Sequence, residues 1–181
     1  ENSKKEADNF LKKYDVKANN FYLHAGTLLK HRPVNEIIQQ FKKLKHEGLV
    51  ESCFKLVFIG NVNYAIQDTD EDVIIIKERQ ALDLINAISQ QARALMIIEH
   101  IADISPFLPG KVPEYIAHQK PIMHFGPTNS ETCRIVKPYI DLHKFHATLD
   151  HPQNIKDVLK TGGVDLSKNH SIVNHFKIDT F

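Results

Sequence analysis

Uninterrupted or nearly uninterrupted apolar runs recur along this chain: FYLHAG (21–26), LVFIG (56–60), VIII (73–76), ALMII (94–98) and PIMHF (121–125). Runs of this length fit strands buried on both faces, which is what a parallel sheet covered by helices requires. Between the runs the apolar positions shift to helical spacing. Ala7, Phe10, Leu11 and Tyr14 predict a helix over 3–14, and Val34, Ile37, Ile38, Phe41 and Leu44 one that stops near Gly48. Leu82, Ile85 and Ile88 mark a third, and Ile135, Val136 and Tyr139 a fourth. Ile155, Val158 and Leu159 mark a fifth, ended by Thr161-Gly162-Gly163. Ser167 is the expected cap of a last helix holding Ile172, Val173 and Phe176, and KFHAT (144–148) is expected to be a strand carrying His146. The alternation amounts to about six βα units. It predicts an α/β fold, a Rossmann-like doubly wound parallel sheet in three layers.

Composition bounds this picture. A chain of 181 residues suits one domain (1–181), with a lead-in helix (1–18) and a C-terminal helix and tail (164–181). The loop at 61–72 is the nearest thing to a flexible segment. Charged residues are 25% of the chain and the net charge is +1, which argues against a nucleic-acid partner. No apolar run approaches the roughly 20 residues that cross a bilayer, and the chain opens on the polar ENSKKEADN. The two cysteines, Cys53 and Cys133, show no metal or redox spacing and suit a reducing compartment, so the expected location is cytoplasmic. Eleven histidines raise the question of a metal site, but none forms HExxH or a Cys/His motif, and they read as scattered surface residues.

In an open α/β sheet, ligands gather beyond the carboxyl ends of the strands, so the loops there carry the chemistry. After the first run come Gly26, Thr27, Lys30 and Arg32; after VIII, Lys77, Glu78 and Arg79; after ALMII, the loop at 99–111; after PIMHF, Gly126, Thr128 and Ser130. Glycine, hydroxyls and fixed positive charge together suit a phosphate. There is no GxSxG nucleophile and no GxxxxGK[ST] loop.

The stretch SPFLPGKVPEYIAHQKPI (105–122) is the most informative. On a helix starting near Gly110, Lys111, Glu114 and His118 fall within about 60° of one another, while Val112, Tyr115 and Ile116 face the sheet. Two readings stand side by side. Lys111 and Glu114 can simply pair at i,i+3 on an exposed face. Alternatively, the lysine holds a diphosphate and the glutamate accepts the vicinal hydroxyls of a ribose.

PGKVPEYIAHQKPIM resembles the P-x-K-x-x-E-Y-[IL]-A-x-x-K-P-[IV] signature in the C-terminal, donor-binding domain of GT-B fold retaining glycosyltransferases of the family 4 type. FYLHAGTLLKHR is similar to the opening of that domain. The resemblance implies ribose binding by Glu114 and donor diphosphate binding by Gly26, Thr27, Arg32, Gly110 and Lys111. It implies that Lys77, Glu78 and Arg79 lie near the base, and Ser105 and Pro106 near the sugar. Pro106 stands where many members carry a first glutamate, eight positions before Glu114. The implied partners are a nucleotide-sugar donor and a glycan or lipid-linked acceptor, the latter held by a missing N-terminal half, with peripheral membrane association of the full enzyme and neither cofactor nor metal. A nucleotide-sugar epimerase or a non-catalytic α/β interaction module are the alternatives.

Overall fold

The computed structural model of the chain describes residues 2–148 and 152–177. In chain order the elements are α1 (Asn2–Lys12), β1 (Phe21–Ala25), α2 (Val34–His46), β2 (Lys55–Ile59), β3 (Val73–Ile76), α3 (Leu82–Gln91), β4 (Ala94–Ile98) and β5 (Ile104–Ser105). There follow α4 (Lys111–Ala117), β6 (Ile122–Phe125), β7 (Asn129–Ser130), α5 (Glu131–Val136), α6 (Leu142–Phe145), β8 (His146–Ala147), α7 (Pro152–Thr161), a 3-10 turn (Leu166–Lys168) and α8 (His170–Phe176). Part of the expected tail, residues 178–181, lies outside the described residues.

Six strands form one parallel sheet in the order β3-β2-β1-β4-β6-β8, and β5 pairs with β7 in a separate two-stranded sheet. Side chains alternate across the main sheet with the period of two that pleating imposes. Phe21, Leu23, Val57, Ile59, Leu95 and Ile97 face one core, with α1, α3, α4 and α8 packed there. Tyr22, Leu56, Phe58, Met96 and Ile98 face the other, covered by α2 and α7. The fold is therefore the three-layer, Rossmann-like α/β architecture that the apolar runs imply.

Several local expectations are corrected. The fourth helix ends at Val136, and Tyr139 is outside it and exposed, because Pro138 has no N–H to continue the helical ladder. KFHAT is split between α6 and β8; the Asp141 side chain accepts the His143 N–H and starts a helical turn, so only His146 and Ala147 pair with β6. Ser167 sits in the 3-10 turn, and Asn169 caps α8 by accepting from the N–H groups of Ser171 and Ile172. No helix separates β2 from β3, so one of the five crossovers that join the six strands is a loop.

The chain runs outward from β1 to β2 to β3 and then returns to place β4 on the other side of β1. The direction of winding thus reverses between β1 and β4, which is where such sheets open a ligand crevice. Pairing of β1 with β4 is confined to Tyr22 with Ala94 and Leu23 with Leu95, after which the two strands part.

Candidate functional site

Where β1 and β4 separate, backbone groups lose their ladder partners, and buried polar groups of this kind must be satisfied some other way. Two side chains do it. His24 Nδ1–H donates to Met96 O at 2.9 Å, and the Ala25 N–H donates to the Tyr115 hydroxyl of α4 at 3.0 Å. Tyr115 is fully buried, with Val112 and Ile116 beside it, so α4 is anchored directly against the carboxyl end of β1. Across the mouth, the Ile101 N–H donates to His31 O at 2.8 Å and ties the loop after β4 to the loop after β1.

Two adjoining hollows open there. One, of about 420 Å³, is lined by His24, Gly26, Arg32, Glu99, Ser105 and Gly110 among others. The second, of about 900 Å³, extends over the ends of β2 and β3 to Gly60, Lys77, Arg79 and the start of α3. Gly26, Thr27 and Lys111 line both. At Gly60 the backbone has φ +142°, and a Cβ there would lie 2.3 Å from the Gly26 carbonyl oxygen. Only glycine lets the two loops meet this closely.

The residues singled out from sequence are distributed as follows. Gly26, Thr27, Arg32, Ser105, Gly110, Lys111, Lys77 and Arg79 line the crevice. Glu78 and Pro106 are exposed and line neither hollow. Glu114 lines a neighbouring depression between α3 and α4, and its two carboxylate oxygens accept from Lys111 Nζ at 2.7 and 2.8 Å. The i,i+3 ion pair is therefore formed, half-exposed on both sides, and it links Glu114 to the crevice through Lys111. Lys30 is exposed, Gly126 and Thr128 border a separate depression, and Ser130 caps α5 through the Cys133 N–H. Gly110 precedes α4, a helix of seven residues, so its dipole is short and most of the positive potential comes from side chains.

Three histidines overturn the reading of scattered surface residues: His24, His124 and His146 are buried. Burial pushes the His24 pKa down to about 4, so the ring is neutral at pH 7. With Nδ1–H committed to Met96, its Nε2 is a bare acceptor; it has no partner and lies against Gly26 in the smaller hollow. Arg32 Nε is likewise buried without a partner, and Glu99 and Tyr64 lie close enough to favour its charged form. Burial lowers the Arg32 pKa and those two neighbours raise it, but a guanidinium stays charged.

Glu99, next after β4, is 4% exposed. Its Oε1 is 2.7 Å from His124 Nε2 and accepts from the Thr132 hydroxyl at 2.9 Å. Burial alone would raise its pKa; the His124 and Thr132 bonds and the nearby Ser105 hydroxyl outweigh burial and hold it down. Oε2 makes no hydrogen bond of good geometry. Beyond it, His124 Nδ1 is 2.8 Å from His146 Nδ1, with Cys133 Sγ at 3.7 Å. Burial disfavours a charged His124, yet Cys133 and Glu99 raise its pKa to about 9. Burial, and then the charge on His124, pushes His146 down to about 3.

Sequence reasoning missed Gly60, His24, Glu99 and the His124–His146–Cys133 cluster. The signal was present in part, since His24 and His124 each interrupt an otherwise apolar buried strand, which a surface histidine does not do.

No family model and no curated protein matches the chain at a significant level. Solved structures do. The chain superposes on a UDP-forming α,α-trehalose-phosphate synthase from Burkholderia vietnamiensis with a TM-score of 0.66 at 9% identity, covering 93% of this chain and 43% of that one. It matches the C-terminal domain of a group 1 family glycosyl transferase from Francisella tularensis with a TM-score of 0.62 at 13% identity, covering 91% and 89%. A glycosyltransferase from Rickettsia africae gives 0.64 at 12% identity, covering 95% and 48%. The fold is thus that of one half of a GT-B glycosyltransferase, and it coincides with a C-terminal domain nearly end to end. The chain spans under half the length of the Burkholderia and Rickettsia proteins. No helix among the described residues is long and apolar enough to cross a membrane.

Proposed function

We propose that the chain is the donor-binding domain of a glycosyltransferase that moves a hexose from a nucleoside diphosphate sugar to a glycan or lipid-linked acceptor. The observation that carries the reading is the crevice at the winding reversal, where Arg32, Lys111, Lys77 and Arg79 surround the close approach of Gly26 and Gly60. Fixed cations over backbone of this kind suit a diphosphate. They also suit the charge that grows on it as the sugar departs, which is where stabilisation accelerates transfer.

In this reading the diphosphate lies over Gly26 and Thr27, with Arg32 on one side and Lys111 on the other. Lys111 then exchanges part of its bond with Glu114 for the phosphate, and the freed carboxylate accepts the ribose hydroxyls. The base extends toward Lys77 and Arg79. The sugar occupies the smaller hollow, where His24 Nε2 and Glu99 Oε2 offer two unpartnered acceptors to its hydroxyls. Glu99 and Ser105 supply there what Pro106 cannot.

Calorimetric titration with UDP, GDP and ADP tests the reading. One of them binds more tightly than the others, and Arg32→Ala weakens it about 10- to 100-fold, the worth of a charge-assisted hydrogen bond. Glu114→Ala weakens the nucleotide, whereas inorganic pyrophosphate, which has no ribose, binds at least as tightly because Lys111 loses its competing partner. Absence of binding by all three at millimolar concentration favours a non-catalytic module. Conversion of a nucleotide sugar to its epimer without acceptor favours the epimerase.

A further inference from the structure

Beside the donor crevice, and joined to it through Glu99, the ends of β6, α5 and β8 bring together three metal-ligating side chains that lie far apart in sequence. His124 on β6, Cys133 on α5 and His146 on β8 are all buried, and one ligand atom from each lies within 4.8 Å of the other two. From these positions we infer a binding site for a thiophilic divalent cation of the zinc class, held by His124 Nδ1, Cys133 Sγ and His146 Nδ1.

Three features support it. The donor set is two imidazoles and a thiolate, which selects zinc-like ions over magnesium or calcium. A tetrahedral zinc ion with bonds of about 2.0–2.3 Å spaces its ligand atoms about 3.3–3.6 Å apart. Two of the three separations, 2.8 Å between the two Nδ1 atoms and 3.7 Å from Sγ to His124 Nδ1, lie within about half an ångström of that spacing, and the third is within 4.8 Å.

The second feature is the outer partners. Each imidazole turns its other nitrogen to an oxygen, His124 Nε2 to Glu99 at 2.7 Å and His146 Nε2 to Thr128 at 3.4 Å. Ligating histidines are held this way, because an outer acceptor fixes the tautomer and frees the inner nitrogen's lone pair for the ion. Glu99 is itself held by Thr132, so the support extends a further residue. The third is the nearness of solvent: Thr128, the outer partner of His146, lines an open depression of about 550 Å³. Loading the site releases the Cys133 thiol proton, and any proton shared by the two Nδ1 atoms, to solvent.

A cobalt(II) titration reads the site directly. One equivalent of Co²⁺ gives a near-ultraviolet thiolate-to-metal charge-transfer band, which one equivalent of Zn²⁺ abolishes. Cys133→Ser removes the band, whereas Cys53→Ser, at the exposed second thiol, leaves it intact. Zn²⁺ at a hundredfold excess over its Kd raises the wild-type Tm by about 5–10 °C. Glu99→Gln weakens Zn²⁺ binding about 10- to 100-fold. A spectrum with no thiolate band, or a band that survives Cys133→Ser or vanishes with Cys53→Ser, overturns the site and leaves a hydrogen-bonded histidine pair. None of these measurements involves a nucleotide, so failure here and failure of the donor reading are distinguishable.

Discussion

At the residue scale, Gly60 sets the close approach of two loops at the crevice and His24 supplies a neutral, buried acceptor there, and each leads to a measurable consequence. Replacing Gly60 with alanine forces a Cβ into the Gly26 carbonyl at a backbone angle that L residues avoid. Urea unfolding of Gly60→Ala should show a loss of more than about 1 kcal/mol together with weaker diphosphate binding; full stability would mean that the two loops separate easily. His24 titrates near 6.5 when unfolded and near 4 when folded. The unfolded chain therefore binds more protons in that window. The His24 contribution is complete above pH 6.5 and is lost as pH falls toward 4, by up to about 3 kcal/mol. Since His24→Asn removes this term, the stability gap between wild type and variant should shift by about 2–3 kcal/mol between pH 7 and pH 4.5. Parallel pH profiles would refute a neutral buried ring. Gly26, Arg32 and Lys111 were legible because glycine and fixed charge just after a strand have few structural uses. Gly60, in an equivalent place, was not, since only the approach of a second backbone distinguishes it from an ordinary turn glycine.

At the element scale, the least obvious contact is between α4 and β1. Tyr115 belongs to the same turn as Glu114, yet it faces the interior and completes the hydrogen bonding of a strand ninety residues earlier. Tyr115→Phe keeps the ring and leaves the Ala25 N–H without its partner, which costs about 1–3 kcal/mol. The Ala25 amide should exchange faster with solvent, and nucleotide affinity should fall because Gly26 follows immediately. Unchanged exchange at Ala25 would show that another acceptor takes over. The strands were readable because burial on both faces leaves uninterrupted apolar runs, and the amphipathic helices because their apolar stripes repeat. The errors fell where one polar side chain settles a boundary, as Asn169 does for α8 and Asp141 for α6. Such residues look alike in sequence whether they cap a helix or lie in the loop before it.

At the scale of the whole molecule, the crevice has one wall. Its rim carries Phe107 at 80% exposure, with Ile101 and Ile104 also largely exposed, although isolated soluble surfaces seldom gather large apolar groups beside a charged groove. Two of the GT-B structures that this fold matches are about twice its length, and in the proposed reading a second half faces this rim and closes over the donor. Positioning two substrates in a closed, water-poor cleft is worth on the order of 7–11 kcal/mol of barrier, and in the proposed reading the acceptor is positioned by the second half. The chain alone should therefore hold a nucleotide sugar without consuming it. With the preferred nucleotide identified by calorimetry, its hexose conjugate is incubated with stoichiometric protein and a simple alkyl glycoside acceptor, and release of the nucleoside diphosphate is followed by chromatography. The donor should survive with a half-life close to that in buffer, while Arg32→Ala changes its affinity and not its fate. Rapid release that depends on the acceptor would show that this single layer of helices and sheet carries a complete active site, and the division of labour between two halves would have to be abandoned.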